Sequence, residues 1–451
     1  MKNEQKVIFA TKKYKTFKGE AEMLKDFEDI KRTLKQLCDI PSVQGEPLPG
    51  KPFGADVYRA LEFMLAKAEA MGFETVNYDG YIGEVIWRGE NEKKGTDDKV
   101  LGILCHLDVV KAGRLSDWKY PPFEATEENG RIYARGTLDD KGPAVSCLYM
   151  MKQLKDEGYT PKKTIKLILG CNEETGWGCI EHYNKVAKMP DFGFSPDGNF
   201  PVLYAEKGIM HARFEFDCDK SIKAFGGEMT NMVCDYAYAV APVDEKLIEK
   251  CGLKTNGDKI ESFGVAAHGS TPEKGKNAIG PLLKYLTELG LADKSAYAAL
   301  FEDVYGLKKN SDETGPLTMS PNILSAENGK MYITVDFRYP ATFAPEFMEN
   351  AAAKIAPYTV VNKHQAPLFN DKNSFLIKTL LNIYNEETHS DEQPMAIGGG
   401  TYARALPVGA AFGPEFIGEE APVHQPNEYI TLDNLEKMSV IYKRAIRELS
   451  E

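Results

Sequence analysis

Four places in the sequence set metal-ligating side chains directly after or beside short apolar runs. His106 and Asp108 follow residues 100–105 (VLGILC), and Glu173 and Glu174 follow residues 164–170 (TIKLILG). Asp139 and Asp140 sit in GTLDDKGP, and Asp197 lies in FSPDG. A set of His, Asp and Glu donors suits hydrolysis. Two divalent ions about 3.5–4 Å apart can share a bridging carboxylate and lower the pKa of water to about 7, so that hydroxide exists at neutral pH. A nearby carboxylate that is not a ligand can take the proton and hand it to a leaving amine. The adjacent Glu173 and Glu174 suit that division, one as base and one as ligand. Each fragment alone has a plainer reading. A His-x-Asp at a strand end is commonly a hydrogen-bonded turn, Glu-Glu a solvated helix start favoured by the dipole, and Asp-Asp-Lys-Gly a turn. Their order and placement together carry the argument.

Such residues converge when the strands before them run parallel, because the carboxyl ends then gather on one sheet edge. Residues 100–105 and 164–170 read as buried strands covered on both faces. Between them, 142–158 reads as a helix with Ala144, Leu148, Met151 and Leu154 on one stripe. Further helices are expected at 26–37 and 55–71. Strand, helix, strand is the α/β pattern. After Pro201 the texture changes. Residues 211–216, 233–240, 259–265 and 331–337 alternate as strands with one wet face, and 278–291, 296–305 and 345–355 read as helices. From Ser374 the buried texture resumes, ending in a helix over 432–449 with Thr431 as N-cap. The expected architecture is α/β: a discontinuous mixed-sheet catalytic domain, residues 1–205 and 370–451, with an inserted α+β domain at 206–369.

The chain has 451 residues, 43% hydrophobic and 27% charged, an ordinary composition for a folded protein of more than one domain. Lys and Arg number 55 against 67 Asp and Glu, a formal charge of −12. That balance disfavours nucleic-acid and anionic-membrane partners, which need a basic surface. The Lys-rich residues 1–18 hold an apolar run only at 7–10, too short for a secretory segment. No stretch approaches the ~20 apolar residues of a membrane span. Eight cysteines without a CxxC pair read as free thiols in a reducing cytoplasm. His182, His211, His364 and His389 lie outside the motifs and read as structural or surface residues.

Several segments together, in order, resemble the M20 metallopeptidases, and among them the PepV-like dipeptidases. They are CHLDVV (105–110), DWKYPPFEAT (117–126), RIYARGTLDDKGP (131–143), NEETGWG (172–178), FSPDGNFPV (194–202), GVAAHGSTPEKGKNA (264–278), ITVDFRYP (333–340) and GGGTYAR (398–404). The resemblance implies two divalent metal ions, zinc first, with manganese or cobalt as substitutes. It implies His106, Asp139 and Asp197 on one ion, Glu174 and His424 on the other, and Asp139 bridging. Asp108 would bond the second ring nitrogen of His106, Glu173 would be the general base, and the Asp139–Asp140 peptide would be cis.

The insert would be a ferredoxin-like lid. From it His268 would stabilise the tetrahedral oxyanion, with Asn231 as a further polar contact. Arg338 would grip the C-terminal carboxylate of a small peptide substrate, helped by the amides of Gly399, Gly400 and Thr401. Plainer readings stay open here: a surface His268, an Arg338 paired with a carboxylate of the insert, and a GGGT turn that needs positive φ. Lys141 suits either a neutraliser of the acidic cluster or a surface ion pair. Three positions depart from the family pattern. Cys105 replaces Gly before the first His and could bring a thiol near the metal, Lys111 replaces Pro, and Gln425 replaces Gly after His424. Asp197 in place of Glu points, by resemblance, to unblocked dipeptides. The enlarged insert points to a self-sufficient monomer, with a homodimer as the other arrangement. An N-acyl amino acid amidohydrolase of the same fold is the alternative activity, and a non-catalytic metal-binding protein the alternative class.

Overall fold

The computed structural model describes residues 24–95 and 99–451. The Lys-rich start, read above as lacking a targeting segment, lies outside them. Two sheets organise the described residues. The first has nine strands in the order Glu74–Tyr78, Ile82–Trp87, Ile165–Gly170, Leu101–His106, Phe192–Ser195, Gly409–Ala411, Leu203–Glu206 and Leu368–Phe369, with Met395–Ile397 also on Leu203–Glu206. Its four middle strands, from Ile165–Gly170 to Gly409–Ala411, are parallel. They are nearly continuous apolar runs because both faces are covered. The helices Phe27–Cys38, Ala55–Ala70, Lys141–Asp156, Phe375–Thr388 and Leu432–Ser450 share one core with this sheet. Lys141–Asp156 is buried almost all round, so it carries little amphipathic contrast. Thr431 caps the last helix, its Oγ1 accepting the Asn434 N–H at 3.0 Å.

The second sheet has eight strands in the order Lys254–Asn256, Lys259–Phe263, Tyr236–Val240, Lys223–Gly226, Thr318–Glu327, Lys330–Tyr339, Gly208–Asp217 and Tyr358–Val360. Every pairing in it is antiparallel. Helices Ile279–Glu288, Lys294–Leu300 and Pro345–Ile355 join it around a separate core that includes Phe214, Leu282, Ile333 and Met348. The residues of Tyr236–Val240 are alternately half-buried and buried, as one wet face requires. The eight strands double the four of a β-α-β-β-α-β ferredoxin-like unit.

Three elements differ from expectation. The helix expected over 296–305 ends at Leu300. Asp303, at φ 53°, turns the chain there, its carboxylate accepting the N–H groups of Leu307 and Lys308 at 2.8 and 3.0 Å. The strand expected over 233–240 starts only at Tyr236. Leu368–Phe369, inside the stretch assigned to the insert, pairs with Leu203–Glu206 of the first sheet. A two-residue strand is too short to leave an alternating pattern.

The chain leaves for the second sheet and returns from it at neighbouring points. Ile209 and Gln365 exchange N–H···O bonds of 3.0 and 2.9 Å. Arg404 donates to the carbonyls of Lys207 at 2.6 Å and Ala366 at 3.2 Å, holding both connections. A small third sheet, Thr126–Glu128, Arg131–Tyr133 and Tyr429–Thr431, sets Tyr429 opposite Tyr133. It joins the segment before Asp139 to the one after His424.

Candidate metal centre

The parallel strands deliver their ligand candidates to one edge. His106 ends its strand, Glu173 and Glu174 follow Gly170 closely, and Asp197 lies just past Ser195. Asp139 joins them through the cis Asp139–Asp140 peptide ahead of Lys141–Asp156. His424, at φ 61°, reaches in from the segment before Tyr429–Thr431. Asp139 stands between the two rings: its Oδ1 is 2.8 Å from His106 Nε2 and its Oδ2 is 2.8 Å from His424 Nε2. His424 Nε2 is also 3.1 Å from Glu174 Oε2, and His106 Nε2 is 4.0 Å from Asp197 Oδ2. Donor atoms of His106, Asp139 and Glu174 lie within 4.8 Å of one another, as do those of His106, Glu173 and Asp197. The structure thus gathers His106, Asp139, Glu173, Glu174, Asp197 and His424. Glu173, expected as a base, stands in ligand range as well.

Other groups hold these side chains. The bond from His106 Nδ1 runs to the Asp108 backbone carbonyl at 2.9 Å, and the Asp108 carboxylate stands off at 3.6 Å. Asp108 is thus the partner of the second ring nitrogen through its backbone carbonyl. The carboxylate instead accepts the N–H groups of Glu173 and Glu174 at 3.0 and 3.1 Å, fixing the loop that carries both. The Trp177 indole N–H donates to Glu173 Oε1 at 3.1 Å. Tyr402 stands edge-on to both His106 and Trp177, and its backbone N–H bonds Asp197. A Cβ at Gly170 would lie 2.0 Å from the Tyr402 hydroxyl, so only glycine fits there. The buried Glu428 carboxylate holds the backbone leading to Asp139.

Burial and crowding set the charges. Burial, then the charge of Asp139, pushes Asp197 up to about 7. Burial, then Asp197 and the other neighbouring carboxylates, holds Glu173 well above its usual value, and burial with Asp139 raises Glu174. Burial opposes charging of His424, but Asp139 and Glu174 outweigh it and raise the ring to about 11. Four carboxylates repel one another here with two rings to offset them. A divalent cation removes that repulsion, and the mixed imidazole and carboxylate donors match zinc, with manganese or cobalt tolerated. The donor set therefore fits the metal that the sequence implied.

Cys105 does not enter the centre. Strand alternation turns it away from His106, and its thiol lies against Cys147 and Asp140. All eight cysteines are free thiols. Lys141 is neither a neutraliser of the cluster nor at the surface. It is fully buried and donates to the carbonyls of Leu37 and Ile40 at 3.1 and 2.8 Å.

The remaining predicted residues form a second group. Asn231 and His268 share one loop pair, joined by the Gly269 N–H to the Asn231 carbonyl at 2.7 Å. His268 is exposed and its Nδ1 is 2.7 Å from Ser270 Oγ. Arg338 is buried, and Asp336 takes its Nε and Nη2 at 2.7 and 2.9 Å, as the plainer reading allowed. His211 lies 3.5 Å from the same carboxylate. Arg338 Nη1 reaches the Gly398 carbonyl at 3.3 Å. None of Gly398, Gly399 and Gly400 has positive φ. A Cβ at Gly400 would lie 2.9 Å from Arg404 Cζ, so that guanidinium would have to shift to admit one. Thr401 gives its N–H and hydroxyl to the buried Glu206 at 3.1 and 2.5 Å, so its amide is already engaged. Among the described residues no hydrogen bond or ion pair joins His268 to the carboxylate cluster.

Sequence reasoning missed Trp177, Tyr402, Glu206 and Glu428. Trp177 and Tyr402 sit inside NEETGWG and GGGTYAR, and that placement was the available signal.

Comparison with known proteins points the same way. A model of the peptidase family M20/M25/M40 matches residues 102–448. The chain is 34% identical over 469 residues to the Bacillus subtilis (strain 168) protein named "Putative dipeptidase YtjP", covering 96% of this chain and 99% of that one. It is 35% identical over 471 residues to "Putative dipeptidase SAB1611c" of Staphylococcus aureus (strain bovine RF122 / ET3-1), covering 95% and 98%. Among solved structures, aminoacylhistidine dipeptidase from Vibrio alginolyticus matches with a TM-score of 0.58 at 13% identity, over 96% of this chain and 99% of that one. Human carnosine dipeptidase 1 matches with a TM-score of 0.58 at 13% identity, over 94% and 96%. At these identities the solved structures speak for the fold alone.

Proposed function

We propose that this chain, which belongs to the peptidase family M20/M25/M40, hydrolyses the peptide bond of unblocked dipeptides at a two-metal centre. The observation that carries the reading is Asp139, whose two oxygens face His106 and His424 at 2.8 Å each, the arrangement a bridging ligand needs. His106, Asp139 and Asp197 would hold one divalent ion and Asp139, Glu174 and His424 the other, with zinc as the first choice. Bound ions of this kind supply Lewis acidity and make water nucleophilic at neutral pH. Glu173 keeps Oε1 on the Trp177 indole, which leaves Oε2 to take the proton of the attacking water and pass it to the leaving amine. Dipeptidase relatives at 34–35% identity over nearly the whole chain support the substrate class.

The second sheet and its helices act as a lid that carries His268, Asn231 and Arg338 onto the substrate. Arg338 would hold the substrate carboxylate with its Nη groups while Asp336 keeps the guanidinium oriented. The amides of Gly399 and Gly400 assist. A monomer suffices for this chemistry, and eight free thiols suit a reducing cytoplasm. The test is a panel of free and N-blocked dipeptides offered to metal-stripped protein refilled with zinc, manganese or cobalt. Cleavage of the free peptides, restored by metal, is expected. Preferential cleavage of the N-acylated compounds would replace the dipeptidase reading with an amidohydrolase.

A further inference from the structure

Glu428 lies four residues beyond His424 and is fully buried. Its Oε1 accepts the N–H groups of Gly136 at 3.0 Å, Leu138 at 2.9 Å and Asp139 at 3.4 Å. Its Oε2 takes Arg135 Nη1 at 2.7 Å, and its own carbonyl accepts the Ala134 N–H at 3.2 Å. Three backbone N–H groups of residues 136–139 and the Arg135 guanidinium thus converge on one side chain. The neighbouring Asn427 anchors the same segment elsewhere, accepting the Lys119 N–H at 2.6 Å and donating to the Asp117 carbonyl at 3.0 Å. The catalytic steps above make no use of Glu428. A buried carboxylate is costly unless fixed donors surround it, and here the donors are the backbone that places Asp139.

We infer that Glu428 is a positioning residue for the metal centre. By cradling residues 135–139 from the segment that carries His424, it sets Asp139 relative to His424 and lets the two cation positions form together. The inference rests on the reading of Asp139 as the shared ligand. Because one Asp139 oxygen faces each histidine, a displaced loop disturbs both positions at once.

Glu428→Asp in the full chain keeps a charge beside Arg135 but is one methylene too short to reach the three amides. Metal-stripped protein is titrated with zinc against a chromogenic chelator, and the visible spectrum of the cobalt-loaded protein is recorded. Affinity should fall about 10- to 100-fold for both ions together, the usual size of losing a group that orients a ligand. The cobalt bands should change while the circular dichroism of the metal-free protein stays that of the wild type. The paired variant Arg135→Met/Glu428→Gln removes the buried charges but leaves an amide oxygen for the three N–H groups, and it should recover most of the affinity. A folded Glu428→Asp with wild-type zinc affinity and cobalt spectrum overturns the inference. So does a paired variant that loses as much affinity as Glu428→Asp. If Glu428→Asp does not fold, Arg135→Met/Glu428→Leu, which removes the charges and the acceptor together, is compared with the paired variant: lower zinc affinity and altered cobalt bands in the Leu variant alone support the cradle, and equal spectra overturn it. Wild-type protein that binds fewer than two ions in the same titration breaks the two-metal reading instead, whatever Glu428 does.

Discussion

At the candidate metal centre four carboxylates face two histidines, whereas Arg338 and Arg404 are each already paired with a buried carboxylate. Asp139 and Glu174 lie about His424 with Asp197 and Glu173 nearby, and burial, with repulsion added, lifts three of the four carboxyls. Arg338 is closed by Asp336 along two bonds, His268 by Ser270 and Thr401 by Glu206. The first region is short of positive charge and gains from a cation. The second already has both guanidinium groups paired, so taking up a substrate there exchanges partners. It should contribute selectivity among substrates where the first contributes rate.

The sharpest way to break this comparison is Glu173→Ala. Metal content should remain while turnover falls about 10²- to 10⁴-fold, the range of general-base help. Metal analysis and kcat are measured on the same preparation. A protein that loses metal, while Glu174→Ala keeps it, shows the two roles exchanged. Next in size is the response of Arg338. Wild type should prefer a free dipeptide to its C-terminal amide by about 30- to 1,000-fold in kcat/KM. Arg338→Ala should erase most of that preference. Arg338→Lys should restore only part, since an ammonium lacks the planar fork. Equal cutting of acid and amide by wild type removes the carboxylate clamp.

A smaller effect is expected at Trp177, which separates holding the base from being the base. Trp177→Phe keeps an aromatic ring and deletes one N–H to a carboxylate, so kcat should fall by about tenfold with KM unchanged. The chain has three tryptophans, so three indole N–H signals are resolvable by NMR. Glu173→Gln should shift the one that Trp177→Phe deletes. An unmoved signal means the bond is not made. The least effect on catalysis belongs to Lys141→Met. It leaves the carbonyls of Leu37 and Ile40 without their donor and should cost about 1–3 kcal/mol of stability in chemical denaturation. Metal content and turnover should stay at wild-type level, and a loss of metal would return Lys141 to the cluster.

His106, Glu173, Glu174 and Asp197 were legible because each follows a short apolar run, and parallel strands end on one edge. Asp139 was legible as a candidate from GTLDDKGP, but its pairing with His424, and His424 itself, became legible only through resemblance, since a three-stranded sheet built from residues 126–133 and 429–431 brings them together and no local pattern announces it. Lys141 was misjudged because burial is invisible when a lysine heads a helix whose whole surface is covered. Glu428 and Glu206 hold partners nearly 200 or more positions away, and such a contact leaves no periodicity to read. Cys105 shows the converse. Alternation along its strand already implied that it and His106 face opposite ways.

The hydrogen-bonded pair Ile209 and Gln365 has a consequence for the history of the chain. All six groups at the metal centre come from outside the stretch between that pair. Paired strands place such residues about 5 Å apart, a gap that a few residues span. A gene could acquire or shed the intervening stretch at that point without breaking the host sheet, in the manner of domain insertions at adjacent termini. The six candidate ligands would then have an ancestry separate from that of Arg338, His268 and Asn231, and a chain shortened at that pair would keep all six.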